Sequence, residues 1–314
     1  MAGLDADLII IGAGPAGLTA AQYGARANLK VLVIEAMGPG GQILVIDQLE
    51  NYPGITEAVS GYEFSVALYQ QAEKFGASFL TESVMSIKKA GHFIIGLANG
   101  KTLTCHSIIL AAGSKPGLLG VPGESEYSGK GVSYCATCDG HFFKGKKMFI
   151  VGGGDAACEE ARYLSNLTDK IVLVHRRDKF RAQEALVERV MNNPHIQVRF
   201  NTVIKEIKGE KKVKSVVLGE TTSDKVYEEE TDAVFIFVGT VPQTSLVSGD
   251  EFKAKLDESG YIVTNQKMLT SISGLFAAGD IRSGAFRQVV TAAADGAVAA
   301  HSAAAYIDSI KDKK

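Results

Sequence analysis

The sequence has few cysteines and only one close pair of them, where a tetrahedral structural zinc site usually takes two pairs. Of four cysteines in 314 residues, Cys135 and Cys138 stand close together in "SYCATCDG", while Cys105 and Cys158 are isolated. A structural zinc site takes a second Cys or His pair at similar spacing; His141 extends the run to Cys-x-x-Cys-x-x-His, and no fourth candidate follows. No apolar stretch approaches the ~18–20 residues of a membrane span. The opening "MAGLDADLIII" carries no basic segment ahead of its short apolar run, which argues against a secretory signal. Nor is there an excess of either charge: 33 Lys and Arg against 35 Asp and Glu leave a net −2, with no pull toward nucleic acid or an anionic membrane. These absences predict a cytoplasmic protein. Thiols are kept reduced there, which disfavours a purely structural disulfide and puts a redox dithiol ahead of it and of zinc.

What is present points to nucleotides. At 46% hydrophobic, 314 residues suffice for about two domains with a sizeable core. "DLIIIGAGPAGLTAAQYGARANLKVLVIE" begins with a strand-length apolar run at 7–11, followed by Gly12, Gly14 and Gly17 in G-x-G-x-x-G spacing. Residues 18–27 suit a helix and 30–35 a second buried strand, ending in Glu35. The glycines serve a tight turn, close approach to a pyrophosphate and helix-on-strand packing; a carboxylate ending the second strand can bind ribose hydroxyls. The helix N-terminus adds free N–H groups for the phosphates.

The same plan recurs in "KKMFIVGGGDAACEEARYLSNLTDKIVLVHRR". A strand at 147–151 leads to Gly152, Gly154 and Ala157, then a helix over 155–166 and a strand over 170–175. Here the second strand ends in His175, Arg176 and Arg177, with Arg181 beyond, where the first copy has Glu35. Guanidinium groups bind a 2′-phosphate that an acid repels, so this copy should prefer NADP(H) to NAD(H). The position also weighs against reading "HRRDKFR" as a solvated or nucleic-acid-binding basic run.

Both copies close alike, in "SIILAAGSKP" (107–116) and "AVFIFVGTVP" (233–242), each an apolar strand running into glycine and then proline. "GLFAAGD" (274–280) is a third such strand, "GYIVTN" (260–265) reads as a short strand before it, and residues 285–310 suit a long helix. Residues 83–89, 93–98 and 215–220 suggest small β layers inside each lobe. Two dinucleotide sites of different ribose preference suggest electron transfer between two cofactors, with a flavin as the usual intermediary toward sulfur.

Taken together, "GAGPAGLTAA", "GGQ" with "ENYPG", "CATCDG", "GGGDAACEEARYLS", "HRRDKFRA" and "GLFAAGD…RQVVTAA" make the chain resemble the low-molecular-weight thioredoxin reductases nearly end to end. The resemblance implies an α/β fold of two Rossmann-like three-layer domains, the second inserted in the first. Residues 1–116 and 243–314 would bind FAD; residues 117–242 would bind NADPH and carry the redox pair. It also implies a homodimer whose substrate is thioredoxin. Carried over by position, the FAD contacts would be Gly12, Ala13, Gly14, Pro15, Ala16, Gly17, Glu35, Ala36, Gly41, Gln42, Asn51, Val84, Ala112, Gly113, Asp280, Arg287, Gln288 and Val289. Those for NADPH would be Gly153, Gly154, Asp155, Ala156, His175, Arg176, Arg177 and Arg181. Cys135 and Cys138 would form the redox disulfide, with Asp139 as the acid. On the residues alone, Gln42 and Asn51 read equally as turn residues.

The chain departs from the family pattern in "VGTVPQT", where something nearer Gly-His-x-Pro-Asn is expected, and His141 lies outside the motif. Because the cysteines sit at the head of the second lobe, dithiol and nicotinamide would travel together and reach the flavin by turns. Rotation about 114–120 and 240–246 is therefore expected. Two rivals remain: a reductase of the same architecture acting on another protein or low-molecular-weight disulfide, and a nucleotide-regulated redox-sensing or zinc-binding module.

Overall fold

The computed structural model describes residues 4–46, 49, 51–250 and 252–312; Glu50 of "ENYPG" lies outside them. The chain divides into two compact units, one formed by Met1–Lys115 with Val241–Lys314 and the other by Pro116–Thr240.

In the first unit β1 (Ala6–Ile11) is continuously apolar from Leu8 to Ile11 because both its faces are covered there. Leu8 and Ile10 enter one core cluster, Ile9 and Ile11 another. α1 (Pro15–Arg26) opens with proline, where no N–H bond is lost, and leads to β2 (Val31–Glu35), parallel to β1. α2 (Gly61–Lys74) starts on a capping box in which Ser60 and Glu63 bond each other's backbone N–H. β3 (Ser78–Thr81) extends the sheet past β2, and β4 (Val84–Ala90) and β5 (His92–Leu97) form an antiparallel pair.

The small β layer expected in this unit is the β4–β5 pair, whose Ile87, Phe93 and Ile95 pack in one cluster with Ile9, Ile11 and Ile34 of the parallel strands. β6 (Thr102–Leu110) is long enough to divide its outer edge: Thr102–Cys105 pair with β5, while Ile108–Leu110 stay open for a later strand. The β4–β5 pair thereby continues the main sheet, whose order is β3-β2-β1-β6-β5-β4. β7 (Ser114–Pro116) then leads out of the unit.

The second unit repeats the plan with a different cover. β8 (Val132–Ser133) and α3 (Ala136–Asp139) precede β9 (Met148–Gly152), α4 (Asp155–Leu164), β10 (Ile171–Val174), α5 (Glu184–Met191) and β11 (Ile196–Arg199). An antiparallel sheet of β12 (Thr202–Gly209), β13 (Val213–Glu220) and β14 (Val226–Glu230) follows, then β15 (Ala233–Phe237). The parallel sheet has order β11-β10-β9-β15-β8. Alternation along β9 shows the three layers. Met148 and Ile150 pack among Ala157, Ala161 and Leu164 of α4, whereas Phe149 and Val151 pack among Ile204, Val216 and Leu218 of the antiparallel sheet.

After β16 (Thr240–Pro242) the chain returns to the first unit, where β17 (Leu275–Ala277) takes the open end of β6 and α6 (Val289–Lys311) crosses α1. That crossing is close: a methyl at Gly296 would lie 2.1 Å from the Ala16 carbonyl oxygen. The strand expected at 260–265 is absent. Ile262 N bonds Ile281 O and Ser283 N bonds Ile262 O, but Val263 N turns to Lys255 O, so no ladder propagates.

Two dinucleotide-type turns and a redox disulfide

In the first unit the turn Gly12–Gly17 links the C-terminal end of β1 to α1. Gly12 has φ +104°, and a methyl there would sit 2.5 Å from Ala111 O; one at Gly17 would sit 1.9 Å from Gly12 O. Both positions therefore admit glycine alone. Glu35 closes the turn from the second strand: its Oε2 accepts Ala13 N (2.9 Å) and its Oε1 accepts Met37 N (3.3 Å). Gly40 N donates to Ala13 O (2.7 Å), bringing Gly41 against Gly14. Gln42 Nε2 reaches Ser114 O at 2.5 Å, beside Ala112 and Gly113, and Asn51 Nδ2 reaches Gln288 Oε1 at 3.3 Å. From the opposite side Gly279, with φ +77°, brings Asp280 to the N-terminal end of α1, since a methyl on it would touch Ala16 Cβ at 3.0 Å. Burial pushes the Asp280 carboxyl upward, against the charge of Arg287. Arg287 has φ +59° and carries its guanidinium over the Tyr261 ring at 4.7 Å. Val84 opens β4 and packs on the core under this sheet; Ala36 is exposed beyond Glu35.

The second turn reaches the same shape by another substitution pattern. Ala157 takes the place of the third glycine because Gly152 leaves room for it: a methyl at Gly152 would lie 2.5 Å from Ala157 Cβ. Gly153 lies on the His175 ring, which a methyl would approach to 2.1 Å, and Arg181 N donates to Gly153 O (2.7 Å). His175 is buried, its Nε2 has no hydrogen-bond partner among the described residues, and its ring lies 5.6 Å from that of Phe180. Burial, then the nearby Arg181 and Arg177, lower its pKa, so the ring is neutral at pH 7. The backbones of Arg176 and Arg177 are fixed by Thr221 Oγ1 (3.3 Å) and Asn201 N (3.0 Å), which donate to their carbonyls, while both side chains and that of Arg181 are exposed. Asp155 accepts Gln183 N (2.8 Å) and Gln183 Nε2 (3.1 Å) beside exposed Ala156.

Both turns fit a dinucleotide. α1 and α4 are capped by Gly14 and Gly154 without any side-chain hydrogen bond, leaving first-turn N–H groups for an anion. The space ahead is open: a methyl on Gly154 would meet nothing within 4 Å, and one on Gly14 only Gly40 O at 3.9 Å.

Cys135 and Cys138 are joined in a disulfide with Cα atoms 5.3 Å apart, at the start of α3 and half-buried. The two sulfurs are not equivalent. Cys135 Sγ accepts Cys138 N at 3.2 Å and lies 3.5 Å from Thr137 Oγ1. Ser133, buried at the end of β8, joins the pair to the acid: its Oγ lies 2.5 Å from Asp139 Oδ2 and accepts Cys135 N at 3.1 Å. Sequence reasoning passed over Ser133, whose only signal is a hydroxyl two residues before the first cysteine. It also passed over Glu124, a buried carboxylate that accepts Leu119 N, Gly120 N and the hydroxyl of Tyr134, the residue preceding Cys135. Cys105 and Cys158 are buried and free, their thiols pushed up to about 12 and about 11 by desolvation, which keeps them protonated and inert.

Two glycine turns shaped for dinucleotides, with a paired Cys-x-x-Cys at the head of the second, define a nucleotide-dependent disulfide oxidoreductase. The chain belongs to the pyridine nucleotide-disulphide oxidoreductase family, which it matches over residues 6–296. It is 51% identical over 309 residues to a thioredoxin reductase of Treponema pallidum (strain Nichols), covering 98% of this chain and 99% of that one. With a thioredoxin reductase of Bacillus subtilis (strain 168) it shares 44% over 307 residues, 98% and 96% of the two chains. The crystal structure of thioredoxin reductase from Streptococcus pyogenes MGAS5005 superposes with a TM-score of 0.90 at 40% identity, covering 97% and 98%. No helix among the described residues is long and apolar enough to cross a membrane.

Proposed function

We propose that this protein is an NADPH-dependent thioredoxin reductase, acting as a homodimer in the cytoplasm. The observation that carries the reading is the Cys135–Cys138 disulfide, set by Ser133 beside Asp139 in the unit that also holds the arginine-flanked turn. The first turn would hold FAD, with Glu35 toward its ribose and Asp280, Gln42 and the 287–289 segment as the other residues that would hold it. NADPH lies along the second, its 2′-phosphate on Arg176, Arg177 and Arg181. When bound, FAD converts hydride from NADPH into the electron pair that a disulfide accepts.

The rest is chemistry of the chain itself. Two electrons break the Sγ–Sγ bond and leave Cys135 and Cys138 as thiol and thiolate. The Cys135 thiolate attacks the substrate disulfide, forming a mixed disulfide and expelling one substrate thiolate. Cys138 then attacks Cys135 Sγ, re-forms the disulfide and releases the second substrate thiolate; Asp139 passes the protons. Because the dithiol and the NADPH turn belong to one unit, that unit rotates about 114–120 and 240–246 to serve each step.

The test is NADPH oxidation by the purified yellow protein, with and without oxidised thioredoxin, against small disulfides. Turnover with thioredoxin supports the reading. Turnover with a low-molecular-weight disulfide alone assigns a different substrate, and zinc without flavin removes the enzyme altogether. Within the cycle, Asp139→Asn slows reoxidation of the reduced protein by thioredoxin disulfide about 10²-fold or more. Ser133→Ala, which leaves the carboxylate in place without its hydroxyl partner, slows it about tenfold. Stopped-flow absorbance of the flavin measures both, and parental rates in both variants would remove the acid from the cycle.

A further inference from the structure

The turn that carries Asp280 is tied to α6 by a buried ion pair that no part of the foregoing chemistry uses. Asp295 lies in the second turn of α6, is 8% exposed, and uses both carboxylate oxygens. Oδ2 accepts Gly279 N at 3.1 Å and Arg282 Nε at 2.8 Å, and Oδ1 accepts Arg282 Nη2 at 2.9 Å. The remaining fork of Arg282 donates from Nη1 to Thr264 Oγ1 at 2.9 Å, and its backbone N–H closes the turn on Gly279 O at 3.0 Å. All three guanidinium nitrogens and both carboxylate oxygens thus have a partner inside the first unit.

Such a pair is a poor device for stability alone, because two apolar side chains of similar volume fill the same space without desolvating two charges. What a bidentate guanidinium–carboxylate contact supplies is direction. Here it spans two segments that bear on one ligand. Gly279 and Arg282 bracket Asp280, while Asp295 sits one helical stretch beyond Arg287, Gln288 and Val289. Two backbone features leave these segments little freedom of their own: Gly279 at φ +77° lies against Ala16 of the dinucleotide turn, and Arg287 is held at φ +59°.

We propose that Arg282 and Asp295 are positioning residues for FAD: their pair locks the Asp280 turn onto α6 so that Asp280 and the 287–289 segment meet the flavin nucleotide in one arrangement. The inference rests on the FAD reading of the first unit. It assigns to neither residue any contact with FAD; both act through the backbone that they hold.

The test is titration of the flavin-free protein with FAD, followed by quenching of flavin fluorescence, alongside calorimetric titration of the second turn with adenosine 2′,5′-bisphosphate. Three variants are compared: Asp295→Asn, Arg282→Lys, which keeps the charge and loses the fork, and Arg282→Met combined with Asp295→Leu. In each, the dissociation constant for FAD rises about tenfold or more, while that for the bisphosphate stays within twofold of the parent. The double variant carries no unpaired buried charge, so it separates positioning from folding if Asp295→Asn does not fold. Parental FAD affinity in a folded double variant overturns the proposal and leaves the pair a packing feature. A parent protein that binds no FAD overturns the reading of the first unit, and this inference with it.

Discussion

Replacing Cys135 or Cys138 with serine lowers disulfide reduction by a factor on the order of 10⁴ or more, yet leaves a yellow protein that NADPH still bleaches. The two outcomes separate because the sulfurs lie downstream of the flavin in electron flow. Serine supplies neither a bond for the flavin electrons to break nor a thiolate to attack the substrate. The variants also differ from each other. Cys135 Sγ receives the Cys138 N–H and lies by the Thr137 hydroxyl, whereas no hydrogen bond to the Cys138 sulfur appears among the described residues. Donors directed at a sulfur favour its thiolate, which supports the proposal that Cys135 is the attacking residue. With Cys138→Ser the mixed disulfide has no resolving thiol and accumulates as a covalent adduct with thioredoxin. Cys135→Ser accumulates none. Non-reducing electrophoresis and intact mass read the adduct; its appearance in the Cys135 variant instead would reverse the order of the two sulfurs. Failure of NADPH to bleach either variant would place the cysteines upstream of the flavin and contradict the scheme.

The features legible in the sequence are those in which a short contiguous stretch dictates its own geometry. β1, α1 and β2 follow from an apolar run, a glycine turn and an Ala-rich helix, and β9, α4 and β10 repeat them. The Cys-x-x-Cys spacing is close enough for the two sulfurs to bond, as they do. Long-range partners were not legible. Nothing within 260–265 states that Ile262 bonds Ile281 while Val263 bonds Lys255, so the short apolar run there resembles a strand that the fold divides between two neighbours. Likewise β5 carries no sign that β6 outreaches β1 and will accept it as an edge partner. Ser133 and Glu124 are ordinary polar residues in sequence; only burial against Asp139 and Tyr134 gives them a place in the site. The third position of the glycine turns lies between these cases. Gly17 and Ala157 differ because the methyl of Ala157 is accommodated at Gly152, while Gly17 faces the Gly12 carbonyl, a distinction of packing that a motif does not encode.

Arg176→Ala with Arg177→Ala raises KM for NADPH about 10²-fold or more while changing that for NADH less than about threefold. The magnitude follows from two charge-assisted hydrogen bonds to phosphate, each contributing about 1.5–3 kcal/mol. The selectivity follows from where the charge sits. His175 is neutral at pH 7 because burial and the adjacent arginines lower its pKa, so it forms the floor beneath Gly153 and adds no charge. The cationic character of this end of the turn therefore belongs to the exposed guanidinium groups. Their carbonyls are pinned by Thr221 and Asn201, so the substitutions remove the side chains without releasing the loop. The pH dependence has a definite sign. A phosphate monoester loses its second charge as pH falls through about 6, whereas arginine stays charged throughout. Preference for NADPH over NADH thus declines below that pH in the parent protein and declines less in the double variant, which keeps only Arg181, as the ratio of kcat/KM for the two nucleotides will show. Equal losses for NADPH and NADH in the variant would refute the 2′-phosphate assignment and return this basic segment to the role of a solvated surface.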